Sequence, residues 1–343
     1  MSHIAVTDRA NPLAPGGVDF RLLLRLVAVA WVCDTSEVKF KPQPWQLIVL
    51  IAVVCGLSIG GMVWYHSTTL TPEALLKRMP SSDSLVMWVD FAALRRAGFL
   101  QLLAGAKSAE DPEYQSFVYA TRFDYMNDLD SALVSFPRSG GSYFLASGRF
   151  DWKSLRAYVT REHGQCVNSI CRVVGSTPDR HISFLPLRHD LMAMAVGPDE
   201  YAVNDLAVAR PGPYPAMPEG LVWLRFPGSL PKAAGNLPAG LGSFARIVEN
   251  APSVTLSFVP DGNRLSAKLE ILCRGAQEAN DLAAQLAATT EMARSLFARE
   301  HQTPSPADFS GIVTSGVFRT EGPRLLGAWP IERAFVQNLL GTQ

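Results

Sequence analysis

The first stretch with the right residues for chemistry is Gly56-Leu57-Ser58-Ile59-Gly60, which fits the G-x-S-x-G pattern around many hydrolase nucleophiles. That pattern works only where a strand turns sharply into a helix and lifts the serine hydroxyl beside an oxyanion hole. Here it lies inside residues 47–64, a run without a charged side chain. In an apolar helix Ser58 bonds back to its own backbone carbonyls, so no hydrolase follows from the motif. The spacing offers instead Gly56-x-x-x-Gly60, two glycines on one helix face that let another membrane helix approach closely.

Cys166 and Cys171 bracket Val167-Asn168-Ser169-Ile170. If Asn168-Ser169 form a two-residue turn, the cysteines face each other with α-carbons roughly 4.5 Å apart, the low end of disulfide reach. An oxidising compartment lets them bridge, and two buried thiols are the alternative. Four close ligands for zinc are lacking, so no metal and no cofactor is expected. The six histidines are scattered and no HExxH occurs. Arg188-His189-Asp190 occupies a hairpin tip, where polar side chains are solvated. Glu162-His163 ends a helix, where a cationic imidazole suits the dipole. Residues 240–245, GLGSFA, meet G-x-G-x-x-A but follow a Pro/Gly-rich stretch instead of a strand, which removes the context a phosphate loop needs. The 31 basic and 31 acidic residues cancel, and no basic stripe interleaved with aromatics points to nucleic acid.

The elements that would position these residues divide in two. As a helix, residues 47–64 rise about 27 Å, close to the hydrocarbon thickness of roughly 30 Å. Trp45 precedes the run and Trp64 and Tyr65 end it, as membrane interfaces favour. The run is read as an uncleaved signal anchor. Arg21, Arg25, Lys39 and Lys41 bias the N-terminus inward. The expected location is the bacterial inner membrane, single-pass, with the C-terminal bulk periplasmic. The expected partners are the lipid bilayer and a membrane protein, or a second copy, docked through the helix. Residues 1–44 form a cytoplasmic segment in which 20–33 either lies on the membrane surface or binds a partner.

Beyond the helix (45–66) and a tether (67–84), alternation and turn residues predict strands and helices in two passes. Module 1 covers 85–210, with strands at 85–91, 131–137, 143–150, 181–187 and 191–197 and helices at 92–106, 112–123, 152–163 and 199–209. The Pro-rich linker 211–220 separates it from module 2, 221–343. That pass has strands at 221–226, 253–260, 264–273, 311–318 and 324–330, a long helix at 276–300 and another near 241–249. The expected fold class is therefore α+β, one transmembrane helix followed by two similar modules. Each module is a mainly antiparallel sheet with helices on one face. Trp88 and Trp223 occupy matching strand positions and are expected to pack on their sheets.

The opening of the first pass, residues 80–103, carries Pro80, Asp83, Val89, Asp90, Ala92, Ala93 and Leu94. It resembles the repeats of bacterial single-span membrane-anchored proteins of unknown function with tandem α+β outer repeats. Pass two departs from the pattern, with Arg225-Phe226-Pro227 where the acid would stand. The resemblance implies architecture and location and supplies no catalytic residue. The function expected from all this is a membrane-anchored, non-enzymatic scaffold, assembly factor or accessory subunit of a membrane complex. The alternative is an envelope module binding a lipid, glycan or peptide between the two copies. A hydrolase with a dispersed site at His189 and Asp190, or His163 and Glu162, ranks last.

Overall fold

The computed structural model describes residues 53–56, 58, 71–101, 112–175, 177, 179–210, 216–229 and 248–341. The chain divides into two units, Met1–Tyr65 and His66–Gln343. In the first, residues 53–56 are helical and exposed, and the Ser58 hydroxyl donates to the Val54 carbonyl at 2.7 Å. A span needs about twenty apolar residues in one helix. Among the described residues no helix is long and apolar enough to cross a membrane. This corrects the expected transmembrane helix at 45–66 and, with it, the signal anchor, the single-pass inner-membrane location, the bilayer as partner and docking through that helix. Most of 47–64, Gly60 and the whole of 1–44 lie outside the described residues.

In the second unit the strands are β1 (Ser84–Asp90), β2 (Leu129–Pro137), β3 (Ser142–Gly148), β4 (Gln165–Val167), β5 (Ile170–Val174) and β6 (His181–Arg188). They continue with β7 (Leu191–Gly197), β8 (Val222–Phe226), β9 (Ser253–Asp261), β10 (Arg264–Leu272), β11 (Val317–Glu321) and β12 (Arg324–Ile331). All twelve form one sheet in the order β11-β12-β10-β9-β8-β1-β2-β3-β7-β6-β5-β4, with every neighbouring pair antiparallel. The expected pair of separate modules is thus corrected: the openings of the two passes, β1 and β8, pair with each other, Trp88 opposite Trp223. The physical reason lies in their composition. Each is an apolar strand that a separate sheet would leave as an edge, and pairing the two removes both edges. Outward from this seam the order is β1-β2-β3-β7-β6-β5-β4 on one side and β8-β9-β10-β12-β11 on the other; each starts with two steps between consecutive strands, then crosses over to a later strand and returns to the one before it.

The helices do not keep to one face. On the face carrying Trp88 and Trp223, α1 (Pro72–Leu76), Met79 and a 3-10 turn (Ala202–Leu206) cover Val86, Leu133, Leu145, Leu191, Ala193 and Ala195. On the opposite face α2 (Phe91–Arg96) brings Leu94 against Leu265, Ala267 and Ile331. Pro112–Thr121 (α3) and Tyr125–Asp128 (α4) follow, and then α5 (Trp152–Arg161), whose Val159 packs on Cys171 and Phe184. The long α6 (Ala276–Arg299) lays Ala279, Leu282, Ala283 and Leu286 over Val254, Leu269, Ile271 and Leu325. Phe309–Ser315 is α7, and α8 (Arg333–Gly341) adds Phe335 and Val336 to the cluster around Leu94.

Local chemistry sets the element ends. Thr71 caps α1, its hydroxyl accepting the Ala74 amide at 3.3 Å, with Pro72 at the first helical position. The helix predicted at 92–106 is interrupted after Arg96, where Gly98 takes a φ of 69°; Leu100 and Gln101 are helical again, and 102–106 lie outside the described residues. The strand predicted at 311–318 begins only at Val317, because Asp308 accepts the Ser310 amide at 2.8 Å and caps α7 first. Asp151 caps α5 by accepting the Lys153 and Ser154 amides, both at 3.1 Å.

These caps give a pH prediction. The Ser154 amide and hydroxyl hold the Asp151 carboxyl below its ordinary range, and the Ser310 hydroxyl and amide do the same for Asp308. A depressed folded pKa adds stability above the unfolded value, and that stability is lost as pH falls through the folded one. Thermal midpoints are therefore expected to fall between about pH 4 and pH 2. Asparagine caps without titrating, so an Asp151→Asn, Asp308→Asn double variant is expected to show a shallower acid slope in the same melts.

Candidate functional site

On β9 and β10 the residues alternate. Val254, Leu256 and Phe258 face α6 and its neighbours, as do Leu265, Ala267, Leu269 and Ile271, while Thr255, Ser257, Lys268 and Glu270 point the other way. The register extends that second face into two rows. One runs Trp223, Ser257, Lys268, Ala328, Val317, and the next runs Arg225, Thr255, Glu270, Leu326, Arg319. On the β1 side the same face is roofed by α1 and the 3-10 turn. On the β8 side it is the floor of a groove of about 630 Å³ with Ala216, Met217, Pro218 and Glu219 along one wall.

Arg225 sits at the inner end of this groove. Its Nε donates to Thr255 Oγ1 at 3.3 Å, one terminal nitrogen donates to the Ala216 carbonyl at 2.7 Å, and the guanidinium lies 5.7 Å from the Trp223 ring centroid. Burial pushes its pKa down, with the Glu270 charge pulling the other way. The other charges are arranged unevenly. Glu270 pairs with Arg324 at 3.7 Å and Arg319 with Glu321 at 3.3 Å. Neither Arg225 nor Lys268 has a carboxylate ion-pair partner among the described residues. No imidazole, thiol or aspartate lines the groove; Glu270 stands opposite Thr255 and Lys268 opposite Ser257 on its floor.

The residues singled out from the sequence lie elsewhere. Arg188 grips Asp190 through two bonds of 2.7 and 2.6 Å, and this lowers the Asp190 pKa. His189 is 87% exposed, with Nδ1 3.7 Å from Asp190. His163 follows α5 with a φ of 59°, and Glu162 meets Arg161 at 3.3 Å. Gly56 is helical, and Gly60 and residues 240–245 lie outside the described residues. Cys166 and Cys171 stand opposite each other in β4–β5, sulfurs 2.03 Å apart, across a turn in which Asn168 and Ser169 take φ of 50° and 71°. We propose that this pair is bridged in the native protein. Titration of the unfolded chain with a thiol reagent is then expected to count three of its five cysteines before reduction and five after. A count of five at the outset would contradict the bridge.

Sequence reasoning missed the groove. The signal was the polar alternation of β9 and β10 set against strands such as Ala132-Leu133-Val134 and Leu191-Met192-Ala193-Met194, which are apolar on both faces.

No protein-family model matches the chain, and no curated protein does. Among solved structures it is similar to TP0453 in crystal forms III and I, each at 11% identity and a TM-score of 0.46 over 78% of this chain and 98% or 96% of the other. Crystal form IV of TP0453 aligns over 78% of this chain and 95% of that one, at 11% identity and a TM-score of 0.41.

Proposed function

We propose that the protein is a non-enzymatic scaffold that docks a partner in the groove floored by β8, β9, β10, β12 and β11. The observation that carries this reading is the difference between the two sides of one sheet face. Beside β1 the face is closed by the chain's own α1 and 3-10 turn. Beside β8 its polar floor lines a groove. Leu326, Ala328, Val317 and Met217 line this groove next to its charges, the mixture of apolar seats and polar rim found in protein interfaces.

A photo-crosslinking side chain placed at Ala328, an exposed position on the groove floor, tests the proposal in the full chain in producing cells. A discrete adduct is expected from Ala328 and none from the same group at Tyr119, which is 89% exposed on α3. Equal adducts from both positions, or none from Ala328, would overturn it.

A further inference from the structure

Resting on that reading, we infer that the groove recognises an acidic, extended protein segment, with Arg225 and Lys268 as its anchoring cations. Four cationic side chains line the groove, Arg225, Lys268, Arg319 and Arg324, against two carboxylates, Glu219 and Glu270. Ion pairs with Glu321 and Glu270 occupy Arg319 and Arg324, which leaves Arg225 and Lys268 against Glu219 alone, an excess of positive charge. Arg225 is the more committed of the two. Its bonds to Thr255 and Ala216 and its contact with Trp223 fix the guanidinium plane, so little side-chain entropy remains to be lost on binding. A half-buried guanidinium without a counter-ion lacks full hydration and gains most from a carboxylate that arrives with its own hydrogen-bond acceptors.

The spacing selects the kind of anion. Arg225 stands on β8 and Lys268 on β10, two strands across and two residues along the register, so their strand positions are roughly 12 Å apart. Alternate residues of an extended chain lie about 7 Å apart on one side, and the flexible lysine stem closes the remainder. Leu326, Ala328 and Val317 then lie beside the cations as seats for the segment's apolar side chains. The chemistry that fits is therefore a peptide with acidic residues at alternating positions.

The test uses the full chain and a fluorescein-labelled octapeptide of alternating glutamate and alanine, read by fluorescence anisotropy at low salt. The glutamine–alanine octapeptide and inorganic phosphate serve as comparisons. The glutamate peptide is expected to bind at least tenfold more tightly than the glutamine peptide, and to weaken as salt rises from about 50 to about 200 mM. Lys268→Gln is expected to weaken it about tenfold and Lys268→Glu further, with Lys153→Glu on α5 leaving it unchanged. Arg225→Gln is expected to weaken binding more than Lys268→Gln. Because Arg225 also ties Ala216 in place, Lys268→Gln is the deciding variant. Equal affinity for the two peptides, no effect of Lys268→Gln, or displacement of the peptide by low-millimolar phosphate would overturn the inference. An Ala328 adduct without glutamate preference would leave the docking surface standing and remove its acidic specificity. Glutamate preference without an adduct would do the reverse.

Discussion

Trp223→Ala is expected to destabilise the second unit by about 3–5 kcal/mol, the range for deleting a large buried aromatic side chain. Trp223 has 0% exposure and lies opposite Trp88, itself 8% exposed, at the seam where the two series of strands meet. It packs in one cluster with Val86, Leu133 and Leu145, so the cavity left behind has walls from three strands that cannot collapse independently. For a unit of this size the loss corresponds to a drop of roughly 10 °C in the thermal midpoint. Trp223→Phe is expected to cost about 1 kcal/mol or less. The Trp223 Nε1 is buried without a hydrogen-bond partner among the described residues, and phenylalanine removes that donor while keeping most of the ring volume. Melting curves of the two variants beside the parent check both values. Similar losses for alanine and phenylalanine would show that the indole nitrogen has a partner.

Leu224→Pro is the second large effect, about 3 kcal/mol or more, with loss of cooperative folding across the seam. Leu224 pairs with Met87 on one side and Leu256 on the other, so β8 has no solvent-facing edge that could tolerate a missing amide. If the seam couples the two series of strands, calorimetry of the parent shows the second unit melting in one transition. Two separated transitions, with the lower one alone moved by Leu224→Pro, would show that the strand series fold apart.

How much of this was legible follows from what a local pattern records. The strands and the β4–β5 turn are written in short-range alternation and turn chemistry, and most of them lie where the sequence places them. The seam is not written that way. "LVMWVDF" and "LVWLRF" are apolar enough to open two sheets or to join one, and only long-range pairing decides. The hydropathy of 47–64 suggests a membrane as solvent, but no helix among the described residues is long and apolar enough to cross one. Arg225 was visible as a departure from the first pass, where Asp90 caps α2 by accepting the Ala93 amide at 2.7 Å. Its partner Lys268 carried no motif, because a cation on the solvent side of an amphipathic strand is ordinary until the register sets it beside a groove.

The most direct measurement is a set of backbone nuclear Overhauser effects between β1 and β8 in the deuterated full chain. A single sheet, with its polar floor continuous from the seam, predicts cross-strand contacts linking Trp88 to Trp223 and Val86 to Arg225, with the amides of both strands slow to exchange. Contacts confined within each series, with β1 and β8 amides exchanging as free edges, would contradict it.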